Sequence, residues 1–277
     1  MPSYEPSKSE LPFFSVIMCS HNNAATVDAA IQSILNQSFR NYELLLIDDG
    51  STDQTGTIMS QYLMRFPGIS FFENLTNIGK PLSMNLGVLS ARGEYIAIAD
   101  ADDIWLSEKL SKQFDYLLRH PETDVLGGQL VRFGEWGKSH RPTKLPLTNS
   151  TISDSFRRGQ MAINNPTAVI RKSSFLSVGG HRGYFLRNED FDLFLRMHRS
   201  RFSFANLPEV LIEYRTASHI QTLRYWATAE FGRQQILIAN SPFLLRVFPL
   251  LRLPMILRDL LRLLLAYLKL QILDRNV

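Results

Sequence analysis

Three apolar runs, at residues 13–19, 42–47 and 95–99, each stop abruptly at a polar or acidic loop, and this repeated arrangement constrains the fold most. The loops read Ser20-His21-Asn22-Asn23, Asp48-Asp49-Gly50-Ser51-Thr52-Asp53 and Asp100-Ala101-Asp102-Asp103. Short apolar runs without alternation are strands buried on both faces. Between the first two, Val27, Ala30, Ile31, Ile34 and Leu35 recur at helical spacing. A second helix is predicted over 53–66, ended by Pro67-Gly68, and a short strand over 69–72. Pro81 suits the first turn of a helix over 82–91, which Arg92-Gly93 closes. Strands alternating with helices predict a parallel sheet covered on both faces, with ligands at the carboxyl ends of its strands.

The second half is less regular. Residues 125–133 read as a strand with a bulge or bend at Gly127-Gly128, 141–147 as a loop, and 167–170 as a further strand. Phe191, Phe194, Leu195 and His198 mark a helix beside Glu189-Asp190, followed by a strand pair at 202–205 and 210–214.

From about residue 241 the composition shifts to Leu, Ile, Phe and Val, interrupted by basic residues. No uncharged stretch there is long enough to span a bilayer, which takes roughly 18 residues. On a helical wheel Arg252, Arg258, Asp259, Arg262 and Lys269 fall on one narrow stripe of an otherwise apolar surface. That is the pattern of a helix lying on an anionic membrane surface, although packing on protein is the plainer alternative. The basic residues that give the chain its formal charge of +4 thus concentrate in a Leu-rich tail rather than among exposed aromatics, so no nucleic-acid partner is expected. The single cysteine, Cys19, excludes a disulfide framework and a Cys-based zinc site. A polar first dozen residues carries no secretory pattern, so a reducing, cytoplasmic setting is expected.

Clustered carboxylates repel one another and resist burial unless a cation joins them. Hard oxygen donors suit Mg²⁺ or Mn²⁺, which typically bridge one or two carboxylates to substrate phosphates. In Asp100-Ala101-Asp102 alternate side chains of an extended segment point the same way, so both acids can reach one ligand set. No Gly-x-Gly-x-x-Gly follows the first strand and no Gly-x-x-x-x-Gly-Lys-Ser/Thr occurs anywhere, which disfavours a dinucleotide fold and a P-loop.

The segments LLLIDDGSTDQT, NIGKPLSMNLGVLSARGEYIAIADADD and NEDFDLFLRM resemble the inverting family 2 glycosyltransferases of the GT-A fold, over about residues 13–215. The resemblance implies an α/β protein with a Rossmann-like mixed sheet flanked by helices, here with an amphipathic helical extension. It divides the chain into a polar lead (1–12), a nucleotide-sugar-binding half (13–106), an acceptor-binding half (107–240) and the tail (241–277).

It also implies roles. Ser20, His21 and Asn22 fall where the family binds the donor, with the His21 imidazole in place of a Tyr ring that stacks on uracil. Asp48 or Asp49 would accept a hydrogen bond from the base, Lys80 would offset phosphate charge, and Asp100 would hold ribose or sugar hydroxyls. Asp102, with Asp100 and His219, would serve the metal. Asp190 would be the catalytic base, with Glu189 the lesser candidate.

The resulting expectation is an inverting, metal-dependent transfer from a nucleoside-diphosphate sugar, such as a UDP-sugar, to a saccharide or lipid-linked saccharide at the inner membrane surface. A catalytically silent membrane-associated assembly subunit is the alternative, and intact Asp102 and Asp190 argue against it. Oligomeric state is left open.

Overall fold

In a computed structural model that describes residues 11–64, 68–134, 141–183, 185, 188–216 and 236, the apolar runs of the first half form adjacent strands. The elements in chain order are β1 (Phe14–Ser20), α1 (Val27–Leu35), β2 (Tyr42–Asp48), α2 (Thr55–Gln61), β3 (Ile69–Glu73), α3 (Lys80–Ser90), β4 (Tyr95–Asp100) and β5 (Ile104–Trp105). The second half adds α4 (Lys109–Arg119), β6 (Val125–Gly134), α5 (Asn149–Arg157), β7 (Val169–Arg171), α6 (Lys172–Ser177), α7 (Glu189–Arg199) and β8 (Phe204–Thr216). They build one sheet in the order β3-β2-β1-β4-β7-β6-β8-β5.

The first four strands are parallel as predicted, but the sheet as a whole is mixed. β7 runs antiparallel to both β4 and β6, and β5 antiparallel to β8. Both predicted halves therefore share a single sheet. Residues 167–170 are only partly strand, because a 3-10 turn (Asn165–Thr167) precedes β7. The expected strand pair at 202–205 and 210–214 is one strand: Pro208 and Glu209 are exposed where the β6–β8 register shifts, so proline's missing N–H costs no buried bond. That shift falls at Gly127 and Gln129, where the sequence predicts a bulge. Helices α4, α5 and α6 were not anticipated.

Alternation along β1 feeds two cores. Val16 and Met18 pack with Ile31, Ile34 and Leu110 beneath α1, α2 and α4. Ile17 and Cys19 pack with Met84, Val88, Phe191 and Phe194 beneath α3, α5, α6 and α7. Helix α3 lies flush on its face because Gly87 has no side chain: a Cβ there would sit 2.7 Å from Ile17 and Ile47 atoms. Parallel register sets Ser20 beside Asp48 and Cys19 beside Asp100, so the three loops open at one edge.

A lysine is enclosed beside the first of these cores. Lys109 is fully buried, donating to Gln113 Oε1 at 2.9 Å with its ammonium 3.8 Å above the Trp105 ring. A charged amine would gain from that ring, but burial dominates and holds its pKa well below the ordinary lysine range. Unfolding then takes up a proton wherever the pH lies between the lowered folded value and that of a free lysine, so in that window this residue makes stability rise with pH. Lys109→Met should flatten the rise in chemical-denaturation stability as pH climbs toward the free-lysine value of about 10.4. An unchanged slope would mean the amine stays charged.

Candidate active site

The aligned strand ends enclose a cleft of about 390 Å³. Ser20, His21 and Asn23 form one side, Asn77, Gly79 and Lys80 another, and Asp100, Ala101 and Asp102 the floor, with Cys19 below and Tyr214 from β8 closing the end.

Asp49 builds the wall. Its Oδ1 accepts from Asn74 Nδ2 at 2.8 Å, Ser83 Oγ at 2.9 Å and the Ile78 N–H at 3.0 Å, and its Oδ2 from the Gly79 N–H at 2.9 Å. Asp49 also lines the cleft, and with two lone pairs on each carboxylate oxygen its Oδ2, which accepts once here, keeps a site for a further donor. Asp48 does not line the cleft: it accepts from the Ser51 hydroxyl, and a Cβ on Gly56 would lie 2.6 Å from its Oδ2. Of this pair Asp49 borders the cleft and Asp48 does not, and both shape loops. Gly50, at φ +65, lets these loops meet, since a Cβ would come 2.5 Å from the Thr76 backbone.

His21 Nδ1 lies 3.0 Å from the Asp49 carbonyl, which only accepts, so that nitrogen carries the proton. Asn22 sits behind the cleft rather than in it. Its backbone is left-handed (φ 55), its side-chain Oδ1 accepts the Thr52 N–H at 2.9 Å, and its Nδ2 lies 3.3 Å from His21 Nε2.

Lys80 forms an ion pair with Asp100 across the floor, with 35% and 19% of the two side chains exposed. Burial alone would lower its pKa, but Asp100 and Glu189 outweigh it and hold the ammonium above its ordinary value. Burial, then the Asp100 charge, raises the Asp102 carboxyl against the pull of Lys80. Burial and its two acidic neighbours raise Asp103 also. Asp103 Oδ1 accepts the Arg215 N–H at 2.8 Å, while Oδ2 has no partner among the described residues. Arg215 donates through Nε to the Asp102 carbonyl at 2.9 Å and stacks 4.5 Å from the Phe133 ring centre, lacing β8 to the acidic loop. The Cys19 thiol is pushed up to about 12 by burial, so it is inert.

Glu189 and Asp190 open α7, after Asn188 in a left-handed conformation (φ 56). Burial, then Glu189, push the Asp190 carboxyl up to about 7, against the Phe191 N–H that its Oδ1 accepts at 2.8 Å and against Lys80. Asp190 thus feels Lys80 and Asp100, although it belongs to a different element.

The residues fit a divalent cation. Asp100 and Asp102 border the cleft with hard oxygen donors, and burial, then the Asp100 charge, raises the Asp102 carboxyl, a cost that a cation would relieve. Among the described residues no three His, Cys, Asp or Glu side chains converge, so a cation here would draw remaining ligands from phosphate oxygens and water. His219 lies outside the described residues, as does the tail at 241–277. Among the described residues no helix is long and apolar enough to cross a membrane.

The resemblance places the segment from Asn77 to Asn85 near the donor, and Asn77, Gly79 and Lys80 do line the cleft; sequence reasoning missed Asn23 and Tyr214 in the lining, and the bracing role of Asn74 and Ser83. Polar residues around a strand-end acid were the available signal; their direction was not.

The family model described as Glycosyl transferase family 2 matches residues 15–179. EpsE of Bacillus subtilis (strain 168) is 35% identical over 215 residues, covering 75% of this chain and 74% of its own. The amylovoran biosynthesis glycosyltransferase AmsE of Erwinia amylovora is 29% identical over 213 residues, covering 76% and 79%. Among solved structures, S. aureus TarS 1–349 in complex with UDP-GlcNAc matches with TM-score 0.62 and 18% identity, over 91% of this chain and 79% of that one. This chain spans 43% of a longer TarS chain. Mannosyltransferase PcManGT from Pyrobaculum calidifontis, in complex with GDP-Man and Mn²⁺, matches with TM-score 0.60 and 15% identity, over 95% and 88%. At these identities the structural likeness is one of fold.

Proposed function

Because this chain belongs to glycosyl transferase family 2, we propose that it transfers a sugar from a nucleoside-diphosphate sugar to an acceptor hydroxyl with inversion at the anomeric carbon. The observation that carries this reading is electrostatic: the Lys80–Asp100 pair on the cleft floor and the Glu189-Asp190 pair at the start of α7 act on one another's ionisation, although neither Glu189 nor Asp190 is part of the cleft lining.

In this reading Ser20, the His21 ring and Asn23 hold the nucleoside end, uridine being the preferred base. Lys80 balances diphosphate charge, and Asp100 orients ribose or sugar hydroxyls. Asp102, with Asp100, would hold a divalent cation, which supplies charge neutralisation for the departing diphosphate. Asp190 takes the proton from the acceptor hydroxyl as its oxygen attacks the anomeric carbon. The neighbour structures with UDP-GlcNAc and with GDP-Man and Mn²⁺ support a donor and a metal of these classes.

A screen of nucleotide sugars for nucleoside diphosphate release, with and without Mn²⁺, tests the reading. Release by the native chain, stimulated by Mn²⁺ and at least about tenfold lower in Asp102→Ala, is expected. Binding without release from any donor would instead favour a silent subunit.

The base should also set the acidic limb of kcat/KM. Asp190 acts as base only when ionised, and its raised pKa places half-maximal kcat/KM at about 7, with activity climbing as pH rises. A limb at the ordinary carboxylate range would assign the base elsewhere.

We further propose a saccharide or lipid-linked saccharide acceptor of polysaccharide biosynthesis, supported by the likeness to AmsE and by the cationic apolar sequence of the tail. Deleting 241–277 should release the protein from anionic vesicles while donor hydrolysis survives; retained vesicle binding would refute the membrane part.

A further inference from the structure

The donor wall and the helix bearing Asp190 are fastened to each other at one point away from the reacting groups. Asn85 stands on α3, whose first residue is Lys80, and it reaches the 178–182 loop of the other half. Its side-chain amide pairs with the His181 peptide in both directions. The His181 N–H donates to Asn85 Oδ1 at 2.9 Å, and Asn85 Nδ2 donates to the His181 carbonyl at 2.8 Å. An amide used as donor and acceptor at once fixes distance and orientation together, as a neighbouring strand would.

The fit leaves no slack. Gly180 has φ +63, and a Cβ on it would lie 2.6 Å from Asn85 Oδ1 and 2.9 Å from the Phe175 ring. The same loop is gripped from the other side by α7. Arg196 donates to the Val178 and Gly180 carbonyls at 2.6 Å each, and the buried His181 ring brings Nδ1 to 3.4 Å from the Glu189 carbonyl. A short chain of contacts therefore runs from α3, through 178–182, to the first turn of α7. Asn85 itself is not part of the cleft lining.

We propose that Asn85 is a positioning residue: by clamping the His181 peptide to α3, it sets the separation between the Lys80–Asp100 floor and the carboxylates of Glu189 and Asp190. This rests on the reading of Asp190 as base. The reason such a clamp matters is geometric, since displacing a reacting group by about 1 Å costs a rate factor on the order of 100 while leaving the donor's own contacts in place. Without the clamp α7 keeps its own packing through Phe191 and Phe194, but its first turn loses the tie to the donor wall.

The test uses the full chain and three variants, Asn85→Ala, Gly180→Ala and the double variant. In Asn85→Ala kcat should fall roughly 10- to 100-fold, with donor KM and UDP affinity unchanged within about twofold. A residue that only stabilised the fold would lower the melting point and the active fraction without splitting kcat from KM. Gly180→Ala should show the same split, and the double variant should be no slower than the slower single one, because both act on one contact. Amide hydrogen exchange supplies a readout independent of turnover. Exchange at 181–192 should accelerate in Asn85→Ala while exchange at 95–103 stays put. Unchanged kcat, a parallel rise in KM, multiplicative effects in the double variant, or unchanged exchange at 181–192 would each overturn the proposal. If the native chain releases nucleoside diphosphate from no donor, the proposed function fails instead, and the exchange result still decides whether the clamp exists.

Discussion

If Asp190 is the base proposed above, Asp190→Asn should lower transfer by a factor of roughly 1,000 while donor affinity changes little, the range general-base removal usually produces. The amide keeps the shape and the Oδ1 that accepts the Phe191 N–H, so the helix start survives. What is lost is the ability to take a proton. The same variant makes a second, opposite prediction for stability. The Asp190 carboxyl is raised to about 7 by burial and by Glu189, above its unfolded value, so the native state holds its proton more tightly than the unfolded one. Its contribution is therefore present at low pH and lost as pH rises through about 7. Asn cannot ionise, so thermal unfolding should show the variant gaining on the native chain as pH rises from about 4 to about 8. A residue that lowers stability when charged and is needed charged for turnover shows the trade-off expected of an active site. Unchanged turnover in Asp190→Asn would remove it from the mechanism.

Asp192→Ala unfolds the chain or nearly so. Asp192 is fully buried, accepting from Arg196 Nε at 2.8 Å, with Arg182 Nη1 at 3.3 Å. Arg196 is 8% exposed, and its Nη1 and Nη2 donate to the Val178 and Gly180 carbonyls. Removing the carboxylate leaves a guanidinium in the core without its counter-charge, a change that typically costs about 3–5 kcal/mol. That is a large share of the roughly 5–15 kcal/mol that holds a domain together. Urea titration should show the loss directly, and Asp192→Asn, which keeps an acceptor, should fall between. A loss below about 1 kcal/mol, the ordinary value for exposed pairs, would mean the pair is solvated in solution. Asp192 lies two residues beyond the proposed base yet faces inward, and that difference of surroundings inside one helical turn is what the sequence alone cannot assign.

How much was legible depends on which physical rule each residue answers to. Strands β1, β2 and β4 are apolar on both faces, so their runs could be read without ambiguity. Helix α4 escaped notice although its apolar side is well defined, because its buried positions include Lys109 and Gln113, polar residues that a hydrophobic pattern discounts. In β8 the Pro208-Glu209 pair suggests two strands, whereas the shifted β6–β8 register carries one strand through.

The site divides the same way. Strand ends gave the location of the cleft, and the Asp-rich loops gave its charge. Direction within a loop was beyond reach. Asp48 and Asp49 are adjacent in sequence, but one turns toward Ser51 and the other collects four donors from 74–83. Nor does any local pattern reveal that Arg215 crosses to the Asp102 carbonyl, 113 positions away, or that Asn85 meets His181, 96 positions away. Such contacts depend on sheet order, and sheet order is a property of the whole chain.

The central claim is that Asp190 and the Lys80–Asp100 floor carry out one in-line displacement on a bound nucleotide sugar. Time-resolved NMR of the free sugar released when water serves as acceptor, with UDP-GlcNAc or GDP-mannose and Mn²⁺, tests it most directly. An α-linked donor should yield the β sugar first, before mutarotation mixes the anomers, and Asp190→Asn should abolish its appearance. First release of the α anomer, or release that Asp190→Asn leaves intact, would contradict the account.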